Sequence, residues 1–380
     1  VTAAPLPSFP PARPDVESLQ AYSAPLEGRR GLLRLDFNEN TLGPSPRVVE
    51  ALRAIPAEQI AIYPEYDGLR EAVIANLSAP RPDGSPALAQ PLQPAQIGLF
   101  NGVDAAIHAV CHAYGDRGDT LLTTSPSFGY YTPCGRMQGM EIEAIAYEGD
   151  DFRFPLQAIR QALLAPRSGR PPRLLLLCNP NNPTGTRLAA SAIQALAAAA
   201  PQTLVVVDEL YEAFDGDSVL PVADFTATPN LLLLRSLAKT AGLAGLRIGF
   251  AIGAAAVVDR ISRVTGPYDI NSFAVTAAFA ALADQSYVDG YVAEVRRARA
   301  WLAARLQTCG CRHHIAGGNY LLLWPGTGAD VVEQRLRQAG ILVRSMAGKP
   351  LIDGSLRVSI GSLGQMQHFW QTYAVIEGLA

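Results

Sequence analysis

Three unbroken apolar runs, at residues 174–178, 204–207 and 231–234, constrain this chain more than any other feature. Leucine and valine in uninterrupted series suit strands covered on both faces, as in a parallel sheet. Further strand candidates fall at 97–100, 120–124, 141–147 and 248–251. Between them, helical periodicity is clearest at Val103, Ala106, Ile107, Val110, Cys111 and Tyr114, which share one face of an α-helix. Helical stretches around 156–164 and 188–199 continue the alternation, which predicts an α/β sheet covered by helices. Beyond Tyr268, helices near 272–283 and 288–307, strands at 320–324, 341–344 and 356–360 and a last helix predict a smaller α+β lobe.

Composition narrows the function classes. With 380 residues, 49% hydrophobic and 17% charged, the chain has material for a large core. A net charge of −3 and few aromatic residues argue against a nucleic-acid partner, and no basic run suggests a membrane surface. No apolar stretch reaches the roughly 18–20 residues that span a bilayer. The first residues, Val1 to Pro11, lack a basic segment followed by an apolar one and read as an extended Pro-rich arm, not a signal peptide. Five cysteines without regular spacing point to reduced thiols in a cytoplasmic protein. Cys309, Cys311, His313 and His314 lack a second ligand pair, so no metal is expected.

Ligands of such sheets bind beyond the carboxyl ends of the strands. Asn101, Gly102, Val103 and Asp104 follow the 97–100 run, and a strand–glycine–helix junction of this kind offers free N–H groups to a phosphate. Ser125 to Tyr131, containing Phe128, follow 120–124, and Asn179 to Gly185, containing Asn182, follow 174–178. Asp208 to Tyr211 follow 204–207, and Ser236 and Lys239 follow 231–234, with Arg247 ahead of the next strand. Lys239 is the sole lysine before Lys349 in a chain with 31 basic residues. By local composition it is a solvated surface residue or an amine held in a site, able to form a Schiff base. Together an amine, an acid, an amide, a phenol, an aromatic face and an anion seat match a flat heteroaromatic aldehyde carrying a phosphate.

Asn179-Pro-Asn-Asn-Pro-Thr-Gly185, Asp208-Glu-Leu-Tyr211 and Ser236-Leu-Ala-Lys239, with Arg247 eight residues on, resemble the fold-type I pyridoxal-phosphate aminotransferases. Asn38-Glu-Asn40, Tyr63-Pro-Glu65 and Leu356-Arg-Val-Ser-Ile-Gly361 resemble the histidinol-phosphate aminotransferase-like branch. The resemblance implies a large three-layer α/β/α domain with a mostly parallel sheet, over 51–268, and a smaller α+β domain over 269–380 with residues 31–50. Residues 1–30 would form the Pro-rich arm.

The same resemblance implies pyridoxal 5'-phosphate as cofactor and a role for each matched residue. Lys239 would hold the aldehyde as a Schiff base and then shuttle the proton, Asp208 would pair with the pyridine nitrogen, and Asn182 and Tyr211 would bond the ring oxygen. Phe128 would stack on the ring, and the backbone of Val103 and Asp104, with Ser236 and Arg247, would seat the phosphate. Ala238 stands where family members often have a serine that also serves the phosphate. Tyr63 would reach the phosphate across a homodimer interface, giving composite sites. Arg357 would clamp the substrate's anion, and Arg344, unless it is a surface residue, would join it for a dianionic phosphate. The loop at Asn38 would close over the substrate. The reaction implied is ping-pong transfer of an amino group from a small-molecule donor to a 2-oxo acid, 2-oxoglutarate by resemblance. Histidinol phosphate is the first choice of donor. An aromatic amino acid is the alternative, followed by decarboxylation of an amino-acid phosphate and by non-catalytic binding of the cofactor.

Overall fold

Adjacent residues of the central strands go to opposite sides of one sheet. Leu174 and Leu176, Leu204 and Val206, and Leu232 and Leu234 enter one buried cluster, while Leu175 and Leu177, Val205 and Val207, and Leu231 and Leu233 enter another. That is the packing expected of strands buried on both faces. The protein is described by a computed structural model over residues 10–21, 27–80, 87–166, 169–216 and 218–379.

In chain order, helix α1 (Pro14–Glu17) and the two-residue strand β1 (Leu33–Arg34) precede helices α2 (Pro46–Arg53), α3 (Ala57–Ala61) and α4 (Leu69–Leu77). Next come β2 (Ile97–Phe100), α5 (Val103–Tyr114), β3 (Thr120–Ser125), α6 (Tyr131–Met137), β4 (Glu141–Ala146) and α7 (Leu156–Leu164). The series continues with β5 (Leu174–Cys178), α8 (Ala190–Ala199), β6 (Leu204–Asp208), β7 (Leu231–Ser236), β8 (Gly249–Gly253) and α9 (Ala255–Ser262). The remainder holds α10 (Ser272–Leu282), α11 (Gln285–Thr308), β9 (Arg312–His314), β10 (Tyr320–Trp324) and α12 (Ala329–Gln338). It ends with β11 (Ile341–Leu342), β12 (Arg344–Ser345), β13 (Leu356–Ser359) and α13 (Leu363–Glu377).

The large sheet has the order β2-β8-β7-β6-β5-β3-β4. Strands β7, β6, β5, β3 and β4 run parallel, and β8 is antiparallel to both β2 and β7. The ends of β2, β3, β5, β6 and β7 and the start of β8 therefore share one edge. A second sheet, β12-β13-β10-β9, is antiparallel throughout, and β1 pairs with β11 apart from it. Helix α10 packs on α2 and α4, and α11 packs on α13.

Several elements differ from the sequence reading for identifiable reasons. The arm is not simply extended, because Pro14 starts α1 and Asp15 pairs with Arg117. The arm's residues 1–9 and 22–26 lie outside the described residues. The strand expected at 341–344 is two pieces: β11 lies beside β1, and after Val343 the chain crosses to β13 as β12. Helix α6 escaped notice because its sequence, Tyr-Thr-Pro-Cys-Gly-Arg-Met, reads as a turn. Helices α9 and α12 were unmarked too, being short amphipathic segments without a side-chain N-cap. Helix α2 did carry its signal: Ser45 Oγ accepts from Arg47 N, with Pro46 at the first turn.

Candidate active site

Strand parity places the site. Cys178 and Asp208 are in register as the last residues of β5 and β6, and both point to the face on which α5 and α6 pack. One residue further on, Glu209 turns to the other face, where its buried carboxylate takes Arg235 Nε at 2.8 Å. That pair cross-links β6 and β7 behind Asp208 and Ser236. Asp208 is in register with Leu234; two residues further along β7, Ser236 lies opposite Gly249, and Gly249 opposite Phe100. This register gathers the start of α5, Ser236 and Arg247 in one corner.

The corner gathers groups that can bind an anion. Gly102 precedes α5 at φ +81°, offers no side-chain cap, and leaves the first-turn N–H groups of Val103 and Asp104 to a ligand. A Cβ on Gly102 would stand 2.6 Å from Arg247 Nη2, and one on Gly249 would stand 2.8 Å from Val103 N. Only glycine lets these backbones and the guanidinium come so close. Arg247 Nη2 donates to Asp104 Oδ2 at 2.8 Å, a side-chain partner the sequence reading did not foresee. Ser236 Oγ, by contrast, donates to Ile248 O and accepts from Ala238 N, both at 3.0 Å. Its hydrogen is turned into the strand pair, and Ala238 meets it through its amide.

Asp208 is 3% exposed, and burial is the main reason its pKa rises to about 7. Tyr131 Oη donates to its Oδ2 at 2.9 Å and Leu210 N to its Oδ1 at 3.2 Å, and both bonds favour the ionised form. Tyr131 went unassigned in the sequence reading, although it follows Phe128 by three residues where α6 begins. Phe128 stands edge-on to it with ring centroids 5.5 Å apart. A groove of about 670 Å³ opens beside them, lined in part by Ser18, Gln20, Ser127 and Arg136.

Lys239 is half-buried, and its Nζ donates to Phe37 O at 2.9 Å. Burial, then the charge of Arg357, lowers its pKa to about 8. The buried Tyr211 hydroxyl accepts from Asn38 Nδ2 at 3.1 Å and Asn182 Nδ2 at 3.4 Å, with Tyr320 edge-on to its ring. Asn38, left-handed at φ +55°, is held by Ser359 Oγ and by Asn319, whose amide donates to its carbonyl. Ser359 lies within the Leu356–Gly361 motif, whereas no local pattern marks Asn319.

Arg357 donates through Nη1 to Asn182 Oδ1 at 2.7 Å and through Nη2 to Asp36 O. Its buried Nε has no partner among the described residues. Arg344 is its direct cross-strand neighbour in β12, and directly opposed residues project from the same face. The Arg344 guanidinium lies 5.5 Å from the centroid of Phe37, so it is not a free surface side chain. Opposed like charges are unfavourable unless an anion joins them. Tyr63 stands apart: it is 71% exposed and stacks on Tyr268 at 4.2 Å.

A buried acid within the electrostatic reach of a lysine, a glycine-lined helix start and a cross-strand pair of arginines are an arrangement that can serve an aldehyde cofactor carrying a phosphate. The family described as aminotransferase class I and II matches residues 30–372, and the chain belongs to it. Within that family it falls in the histidinol-phosphate aminotransferase-like branch. The histidinol-phosphate aminotransferase of Symbiobacterium thermophilum is 35% identical over 348 residues, covering 90% of each chain. That of Roseiflexus castenholzii is 34% identical, covering 92% of this chain and 93% of its own. The solved histidinol-phosphate aminotransferase of Sinorhizobium meliloti, in complex with pyridoxal-5'-phosphate, superposes with a TM-score of 0.83 at 25% identity. That match covers 98% of this chain and 99% of the other. No helix among the described residues is long and apolar enough to cross a membrane.

Proposed function

We propose that the protein is a pyridoxal-phosphate-dependent histidinol-phosphate aminotransferase that passes the amino group to a 2-oxo acid, 2-oxoglutarate, in two half-reactions. The observation that carries the donor assignment is the cross-strand pair of Arg344 and Arg357 on the Lys239 side of the site, with an Arg357 Nε that has no partner among the described residues. Two guanidinium groups suit a phosphate dianion better than a single carboxylate.

The residues fit the cofactor. The Gly102 and Gly249 approaches bring Arg247 and the backbone at the start of α5 together, and those groups would hold the phosphate. Lys239 supplies the amine, and Asp208, buried with one donor on each oxygen, supplies a carboxylate for a ring nitrogen. When bound, the cofactor supplies an aldehyde for the amino group and a cationic ring that accepts the electrons left by a departing proton. The protein's own contributions follow from geometry. Asp208 turns toward the ring nitrogen a carboxylate that the bonds from Tyr131 and Leu210 N pull toward its ionised form, the Tyr211 hydroxyl and Asn182 amide orient the ring oxygen, and Arg357 fixes the donor's anion. Lys239, with its pKa near 8, exists partly as a free amine at neutral pH and serves as the general base that removes and returns the donor's proton. Phe128 lies along one wall of the site.

The exposed stack of Tyr63 on Tyr268 supports a homodimer in which Tyr63 reaches the partner's phosphate seat. We place the enzyme in the cytoplasm, with the large and small domains divided near residue 268. The test is a single half-reaction. Histidinol phosphate added to the holoenzyme without a 2-oxo acid is expected to bleach the bound cofactor's visible absorption, and 2-oxoglutarate to restore it. Absorption unchanged by histidinol phosphate contradicts the assignment.

A further inference from the structure

Four consecutive residues, Asp36 to Glu39, carry much of the site's internal bonding, yet none lies in the large sheet. Asp36 O accepts from Arg357, Phe37 O accepts from Lys239 at 2.9 Å, and Asn38 Nδ2 donates to Tyr211 at 3.1 Å. Among the described residues the segment has no ladder partner beyond Leu35, and Asn38 holds a left-handed backbone that L-residues rarely adopt. Something outside the site must hold it.

We propose that Arg29 is a positioning residue, a single guanidinium that grips this segment and thereby aims Lys239, Arg357 and Tyr211. Its Nε and Nη2 donate to the two oxygens of Asp36 at 3.0 and 2.6 Å. Its Nη1 and Nη2 donate to the two oxygens of Glu39 at 3.1 and 2.8 Å. Its Cζ lies 4.5 Å from the centroid of the Phe37 ring, and the Arg344 guanidinium lies 5.5 Å from the same centroid. One side chain, 11% exposed, thus holds three of the four residues, and Ser359 and Asn319 hold the fourth. A lysine cannot replace it, because an ammonium has no planar fork to span two carboxylates and no flat face to lay on a ring. A shift of about 1 Å in such a segment costs up to about a hundredfold in rate. The inference rests on the assignment of Lys239 and Arg357 made above.

The test compares holoenzymes of the native protein, Arg29→Gln, Arg29→Lys and Glu39→Gln. Hydrogen exchange of the amides from Asp36 to Glu39, pyridoxal-phosphate affinity, and kcat and KM for histidinol phosphate are measured on each. In Arg29→Gln, exchange in this segment is expected to rise at least tenfold while β5, β6 and β7 stay protected, and kcat/KM to fall 10- to 100-fold. Arg29→Lys is expected to stay within about threefold of Arg29→Gln, which separates a fork from a mere charge. Glu39→Gln, which removes one arm of the grip, is expected to move the same quantities by three- to tenfold and serves if Arg29 variants do not fold. Full rescue by lysine overturns the proposal. So does faster exchange with native kinetics and cofactor affinity, or lost activity without a local change in exchange. If native enzyme ignores histidinol phosphate, the donor assignment fails, while exchange and cofactor affinity still decide the role of Arg29.

Discussion

Tyr131 Oη donates a 2.9 Å hydrogen bond to Asp208 Oδ2 between two side chains that are each at most 3% exposed. Burial pushes the Asp208 pKa to about 7, and the bonds from Tyr131 and Leu210 N pull it down. In Tyr131→Phe the pull of the phenol is gone, so the carboxyl titrates higher and a larger fraction is neutral at pH 7. A buried hydrogen bond to a charged acceptor contributes about 1.5–3 kcal/mol. Cofactor affinity at pH 7 is expected to fall roughly tenfold or more. The acid limb of an affinity-versus-pH titration should move up by one pH unit or more. An unmoved limb removes Tyr131 from the account.

Lys239 offers a second pH readout. Its amine is destabilised as an ammonium by burial and then by Arg357, so it loses its proton near pH 8 instead of the ordinary 10.5. In cofactor-free protein, acylation of Lys239 followed by mass spectrometry should rise with pH through a midpoint near 8. Removing the neighbouring cation in Arg357→Ala should move the Lys239 midpoint upward. A midpoint above pH 10 in the native protein contradicts this environment.

Arg357 and Arg344 differ in what they hold. Arg357→Ala leaves the Asn182 Oδ1 and Asp36 O acceptors without their donor. Losing one partner of a buried charged contact costs about 2–5 kcal/mol. KM for histidinol phosphate is expected to rise about a hundredfold. Arg344→Gln should raise it less, about tenfold, and should leave a donor bearing only a carboxylate nearly unaffected. Equal losses for both kinds of donor would mean that Arg344 does not read the second phosphate charge.

The phosphate corner depends on a missing side chain. Gly102→Ala places a methyl 2.6 Å from Arg247 Nη2 and imposes φ +81° on an L-residue. At ψ 167° this is a backbone region populated essentially by glycine, and the strain alone is on the order of 1–3 kcal/mol. Cofactor affinity, read by fluorescence titration, is expected to fall at least tenfold, with a thermal midpoint lowered by a few degrees. A variant that binds cofactor as the native protein does would place the phosphate elsewhere.

The large sheet was legible because its central strands are apolar on both faces, and unbroken runs such as 231–234 announce that burial directly. The polar groups at the strand ends were legible for the same reason, since the ligand edge of a parallel sheet follows from chain direction. What stayed hidden depends on contacts distant in sequence. Asn38 and Ser359 are bonded across 321 positions, and Arg344 faces Arg357 only because β11 and β12 part at Val343. Arg29 lay inside what reads as a Pro-rich arm, with nothing local to mark its two carboxylates. The turned-in hydroxyl of Ser236 depends on the register between β7 and β8, which no local pattern encodes.

Donor specificity tests the central assignment most directly. Steady-state kcat/KM for histidinol phosphate, phenylalanine and tyrosine should be measured on the holoenzyme with 2-oxoglutarate as acceptor. The paired arginines lead us to expect histidinol phosphate to exceed both aromatic amino acids by at least a hundredfold, with the margin shrinking in Arg344→Gln. A higher value for phenylalanine than for histidinol phosphate contradicts the assignment and makes the protein an aromatic amino-acid aminotransferase.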